Sequence, residues 1–157
     1  MEIEFKDYLT ISNIYIWLNL GILPFWLMLA IIPNSKFTQI LINSIILPLI
    51  LSAAYIYVFY QGIYMKESIL SIFTLYLSLD DLYTILASEN FLLIFWIHFI
   101  SLNLFLGTWV SRDSVKYQVT NIVRFISLIL IYFVGPLGLV FYWFIRIFFS
   151  KRFSLHE

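Results

Sequence analysis

Hydrophobic positions along this chain do not alternate with polar ones; they run together. Four stretches are apolar for about the 20 residues that a helix needs to span roughly 30 Å of hydrocarbon. They are residues 11–33 (ISNIYIWLNLGILPFWLMLAIIP), 39–63 (QILINSIILPLILSAAYIYVFYQGI), 91–110 (FLLIFWIHFISLNLFLGTWV) and 123–149 (VRFISLILIYFVGPLGLVFYWFIRIFF). The first three hold no charged residue. The fourth keeps Arg124 and Arg146 near its ends, where they are expected to snorkel. Residues 66–90 (KESILSIFTLYLSLDDLYTILASEN) break the pattern, with Asp80 and Asp81 at mid-stretch. That segment is expected to lie at the interface as an amphipathic stretch and loop, not to cross. The links NSKFT and SRDSVKYQVTN are short, and short links make neighbouring helices antiparallel. The pattern predicts an all-α, integral membrane four-helix bundle forming one domain over 1–157.

Composition agrees. The 157 residues are 62% hydrophobic and 11% charged, against about 25% charged in soluble domains. Too little polar side chain is present to cover a water-facing surface. Net charge is zero, so no nucleic-acid partner is expected; membrane lipid is. There is no cysteine, which excludes disulfides, thiolate nucleophiles and cysteine metal sites. The acidic start MEIEFKDYLT lacks signal-peptide features, so the first apolar run is expected to be a retained helix. With four crossings, both ends share one side. Lys6, Lys66, Arg146, Lys151 and Arg152 then face Lys36, Arg112, Lys116 and Arg124, and five against four gives a slight lean of the termini toward the cytoplasm-like side. Ile occurs 26 times and Ala four times, a bias that fits an AT-rich genome, organellar or bacterial.

The candidate chemistry lies in the few polar groups at lipid depth: Asn19, Asn43, Asn103 and His98. Such groups are expected to face the bundle interior and pair there, since lipid offers no partner. His98, as a neutral imidazole, is expected to bond Asn19, Asn43 or a ligand oxygen; His156 falls in a polar tail. On a helix, Trp96, Asn103 and Gly107 share one face, and His98, Ser101, Phe105 and Arg112 another. Pro24, Pro48 and Pro136 each remove a backbone donor, and Gly135 and Gly138 in VGPLG allow close approach of a helix or a flat ligand. No HExxH, glycine-rich phosphate loop or paired ligands occur, so no metal is expected. The apolar runs hold no carboxylate, which counts against an ion-coupled transporter.

NLGILPFWLMLAIIP, FWIHFISLNLFLGTWVSRDS and VGPLGLVFYWFIR follow one another as in the abscisic-acid-deficient-4-like family, which the chain resembles over three of its four apolar runs. The family pattern W-x-H-x4-D-L-F-x-G-R-W is matched by Trp96, His98, Leu104, Phe105, Gly107 and Trp109. Asn103 stands where the family has Asp, and Thr108 where it has Arg. The joint loss of both charges implies an ion pair in relatives replaced here by a neutral couple. Plant members of the family are required for neoxanthin synthesis from violaxanthin. The resemblance therefore implies a carotenoid (xanthophyll) or lipid ligand, and His98 as the acid–base group of a redox-neutral epoxide isomerisation, with Asn103 unable to act as its carboxylate. It implies a plastid or thylakoid membrane, or a bacterial inner membrane. The alternative is a non-catalytic small subunit of a larger, photosynthetic membrane protein–pigment complex.

Overall fold

The computed structural model describes residues 9–64 and 76–150. Lys6, Lys66, Glu67, Lys151, Arg152 and His156, with the first part of the expected interfacial segment, lie outside the described residues. The described chain is all-helical: α1 (Ile11–Ile31), α2 (Lys36–Leu41), α3 (Ile46–Tyr64), α4 (Leu79–Leu86), α5 (Glu89–Lys116), α6 (Asn121–Val134) and α7 (Pro136–Ser150). Among the described residues, three stretches are long and apolar enough to cross a membrane: Ile11–Ile31, Lys36–Gly62 and Glu89–Lys116.

The predicted count of four is corrected. The run 123–149 is not one helix, because Pro136 lacks the N–H that would continue the ladder and Gly135 turns to φ +54. It becomes two helices of 14 and 15 residues, each only about 21–23 Å long. The second run is likewise interrupted at 42–45, between α2 and α3. The third is longer than expected. The link SRDSVKYQVTN is mostly helix, and its turn falls at 117–120, where Gln118 takes φ 53. In the remainder of 66–90, Ser78 caps α4 by accepting from the Asp81 N–H, and Glu89 and Asn90 already belong to α5.

Two compact units emerge. The first runs to Gly21 and from Pro48 to Phe99; the second holds Ile22–Leu47 and everything from Ile100 on. The first has an apolar core in which Ile14, Val58, Leu93 and Ile97 pack together, flanked by Leu18, Ala54 and Tyr55. Leu93 and Ile97 are one helical turn apart, which presents both to the same neighbours.

In the second unit, α6 runs antiparallel to the C-terminal half of α5 and α7 returns along it. The turn sits by Asn103, whose Oδ1 would lie 2.6 Å from any Cβ at Gly135. Halfway, Gly107 faces Leu128, and a Cβ there would meet the Trp26 ring at 2.7 Å. Toward the other end, Trp109 meets Tyr142 edge-on at 5.8 Å, and Asp113 meets Arg146. The hairpin closes tightly because Gly138 brings α7 against the backbone of Ile131.

Candidate functional site

Within the first unit, the opening turns of α1 and α5 enclose a groove of about 620 Å³ lined by Ile11, Ser12, Tyr15, Ile16, Glu89, Leu92, Leu93 and Trp96. Its walls are aliphatic and aromatic, and among the described residues Glu89 is its single carboxylate. Tyr15 and Trp96 meet with ring centroids 5.7 Å apart and planes tilted by 45°. Trp96 also stacks on Phe99 at 5.3 Å. The indole N–H donates to Asn19 Oδ1 at 3.2 Å, and Asn19 Nδ2 donates to the Tyr15 carbonyl at 2.7 Å. Asn19 thus holds both aromatic walls: one through a side chain, one through its backbone. The spacing that makes this work is four residues between Tyr15 and Asn19, one turn of α1.

Within the second unit, a buried polar cluster lies among apolar side chains such as Leu29, Val110, Leu128 and Ile131. Arg146 is 2% exposed and grips Asp113 in a two-pronged pair, Nε to Oδ2 at 2.6 Å and Nη2 to Oδ1 at 3.2 Å. The Tyr142 hydroxyl donates to the same Oδ2 at 2.7 Å. The guanidinium lies 4.5 Å from the Tyr117 ring centroid and 6.0 Å from that of Trp109, favourable positions for a cation over an aromatic face. Arg124 donates to the Ala30 carbonyl through Nε and Nη2, at 3.3 and 3.0 Å, and Ser111 Oγ to the Leu29 carbonyl at 2.8 Å. These two carbonyls belong to the last turn of α1, where no later N–H completes the ladder. Neither arginine snorkels, contrary to expectation. Each is buried because a carboxylate or free carbonyls answer it inside the protein.

The sequence-predicted residues separate. Trp96 and Asn19 come together at the groove. Asn103 lies elsewhere, in the second unit, with Nδ2 3.5 Å from the Tyr132 carbonyl. Pro136, four residues after Tyr132, has no N–H to give that carbonyl, so Asn103 stands in for the missing donor. Thr108 bonds the Phe105 carbonyl of its own helix at 2.7 Å and forms no couple with Asn103. Five residues apart, the two point about 140° from each other. Gly135 makes the hairpin turn, and Gly138, in the first turn of α7, lets the two helices close on each other. Asn43 sits in the 42–45 break, with its amide nitrogen and oxygen buried and unbonded among the described residues.

His98 is corrected outright. It is exposed and makes no hydrogen bond among the described residues, so it meets neither Asn19 nor Asn43. The buried stripe of α5 passes through Leu93, Ile97, Ile100, Leu104, Gly107, Ser111 and Ser114. His98 shares the opposite, outward side with Phe95, Leu102 and Phe105.

Sequence reasoning missed Asp113, Tyr142 and Tyr117, because it ended the third run at Val110 and read Asp113 as part of a short link. One signal was available: Gly107, Ser111 and Ser114 continue the helical spacing of the buried face with small residues. Tyr15 was missed because an aromatic among many carries no mark of its own.

A family model described as ABA4-like (ABA DEFICIENT 4-like) matches residues 13–142. No curated protein and no solved structure matches the chain. The matched range runs from the first turn of α1 into α7, taking in Tyr15, Asn19 and Trp96 of the groove and Asp113 and Tyr142 of the polar cluster. With this match, over described residues that are all-helical and hold three membrane-length apolar stretches, the chain belongs to the ABA4-like family.

Proposed function

We propose that this is a carotenoid-associated membrane protein whose groove between the starts of α1 and α5 holds one ring end of a xanthophyll. The observation that carries the reading is that groove: apolar, within the usual size of ligand sites, and walled by Tyr15 and Trp96 in fixed orientation. Two helical turns extend about 11 Å, room for an end ring and the first conjugated carbons, with the rest of the polyene along lipid. Asn19 locks the indole, so the aromatic wall is preformed and little ordering entropy is lost on binding. Ser12 and Glu89 supply polar contacts at one end, suited to a ligand hydroxyl.

The same geometry favours holding over turnover. Opening an epoxide and removing a proton needs an acid and a base. Among the described residues Glu89 is the one carboxylate that lines the groove, and His98 faces outward on another side of α5. Asp113 is committed to Arg146 and Tyr142.

The test is pigment retention. The protein, made in cells that accumulate violaxanthin and purified in mild detergent, is expected to carry carotenoid absorption. Trp96→Leu and Tyr15→Leu are expected to lose most of it while keeping their helical circular dichroism. A colourless native protein, or pigment indifferent to both changes, overturns the reading. Recovery bound to chlorophyll-proteins, with no carotenoid of its own, favours the small-subunit alternative.

A further inference from the structure

The α6–α7 hairpin bears on the topology. From Arg124 to Arg146 the sequence has no charged residue, and its turn, FVGPL, is wholly apolar. Phe133 is 69% exposed, Val134 48% and Leu137 57%. Three bulky apolar side chains at an exposed tip are at home in hydrocarbon and out of place in water. The tip reaches Asn103, ten residues before Asp113 on α5, or roughly 15 Å along the helix. That is about half of a 30 Å hydrocarbon layer. A break in the backbone at such depth is tolerated only where protein satisfies the freed groups. Here the Tyr132 carbonyl, left open by Pro136, has the Asn103 amide beside it. Both outer ends of the hairpin return to one level: Arg124 bonds the end of α1, and Arg146 the end of α5.

We propose that α6–α7 is a re-entrant hairpin, so that the chain crosses the membrane three times and its C-terminal end lies opposite its N-terminal end. The positive charges then fall almost entirely on one side. Lys36, Arg112, Lys116, Arg124 and Arg146 belong to the side where α1 and α5 end, and Lys151 and Arg152 follow α7 there. Lys6 precedes α1 and Lys66 follows α3, on the other side. Seven against two, of nine Lys and Arg in all, replaces the five against four of a four-crossing chain. Without the buried Arg124 and Arg146 the ratio is still five to two. By the positive-inside rule, the seven-charge side is cytoplasm-like. The beginnings of α1 and α5, and with them the groove, then open toward the opposite, lumen-like side. This last consequence rests on the proposed function; the topology does not.

The native chain has no cysteine, so single cysteines report cleanly. Full-length Thr10→Cys, Asn34→Cys, Ala87→Cys, Thr120→Cys and Ser154→Cys chains, in bacterial inner membrane, are treated with an impermeant maleimide before and after permeabilisation. Positions 10 and 87 are expected to react in intact cells. Positions 34, 120 and 154 are expected to react only once the membrane is opened. Reaction of 154 together with 10 and 87 means four crossings and overturns the hairpin. Reaction of 34, 120 and 154 in intact cells, with 10 and 87 protected, overturns the orientation. If the Ser154→Cys chain fails to fold, a C-terminal fusion decides instead. Cytoplasmic fluorescence supports the proposal, and activity of a fused periplasmic phosphatase defeats it. Pigment retention is measured separately, so either result leaves the carotenoid reading to its own test.

Discussion

The two units of this protein both have an apolar core and differ in the polar contacts added to it. In the first, Ile14, Val58, Leu93 and Ile97 form an apolar core, and one side-chain hydrogen bond, Trp96 to Asn19, ties α5 to α1. In the second, where Leu29, Val110, Leu128 and Ile131 are buried, α5 and α7 also meet through Asp113, Tyr142 and Arg146, while Arg124 and Ser111 close the end of α1. Apolar contact is non-directional, and it leaves the first unit a groove without breaking any fixed pairing. Charged contact is directional: each oxygen of Asp113 must meet its donor, so the pair fixes the register of α7 against α5. The teaching is that apolar packing suffices where a protein must present an open surface. Paired charges are used where a short hairpin must be held in register.

The largest expected effect is at the charge pair. Arg146→Met strands Asp113 in the interior and is expected to cost about 3–5 kcal/mol of unfolding free energy in detergent. The double change Asp113→Leu with Arg146→Met removes both charges and should recover much of that loss. A double-mutant cycle on denaturant unfolding reads the coupling. Equal losses for the single and double changes would mean that the pair specifies nothing in the second unit, and the contrast would collapse.

A middle effect is expected at the hairpin turn. Asn103→Asp replaces the amide that faces the Tyr132 carbonyl with an acceptor, at a cost of about 1–3 kcal/mol. Adding Thr108→Arg is expected to restore nothing, because Thr108 points elsewhere and bonds its own helix. Recovery in the double variant would show that the two positions do couple, as the family's paired charges suggest, and would correct the contacts described at Asn103.

The smallest effects are expected in the first unit. Trp96→Phe loses the bond to Asn19, worth roughly 0.6 kcal/mol between membrane helices. His98→Gln, on the exposed side of α5, should stay within about 0.5 kcal/mol of the native chain. A loss at His98 comparable to that at Arg146 would show that its outward face is covered in the membrane by something other than lipid.

What the sequence determined by itself was everything set by length and apolarity. It placed α1 and the bulk of α3 and α5 within a few residues, because a span of fixed thickness demands a run of matching length. It singled out Asn19, Trp96, Asn103 and Gly135, and structure gives each a definite neighbour. Family membership was also legible, since it rests on the order of short motifs. Tertiary structure decided the rest. Hydropathy alone cannot tell a continuous helix from two short ones joined at Gly135–Pro136, because the turn is as apolar as its flanks. Asp113 reads as solvent-facing until Arg146 and Tyr142, about 30 residues later, are folded against it. His98 reads as buried until the packed face of α5 is known, and one step of about 100° around a helix turns an interior residue into an exposed one. The composition of a run fixes that it enters the membrane; only the partners of its few polar groups fix how far it goes and which way it faces.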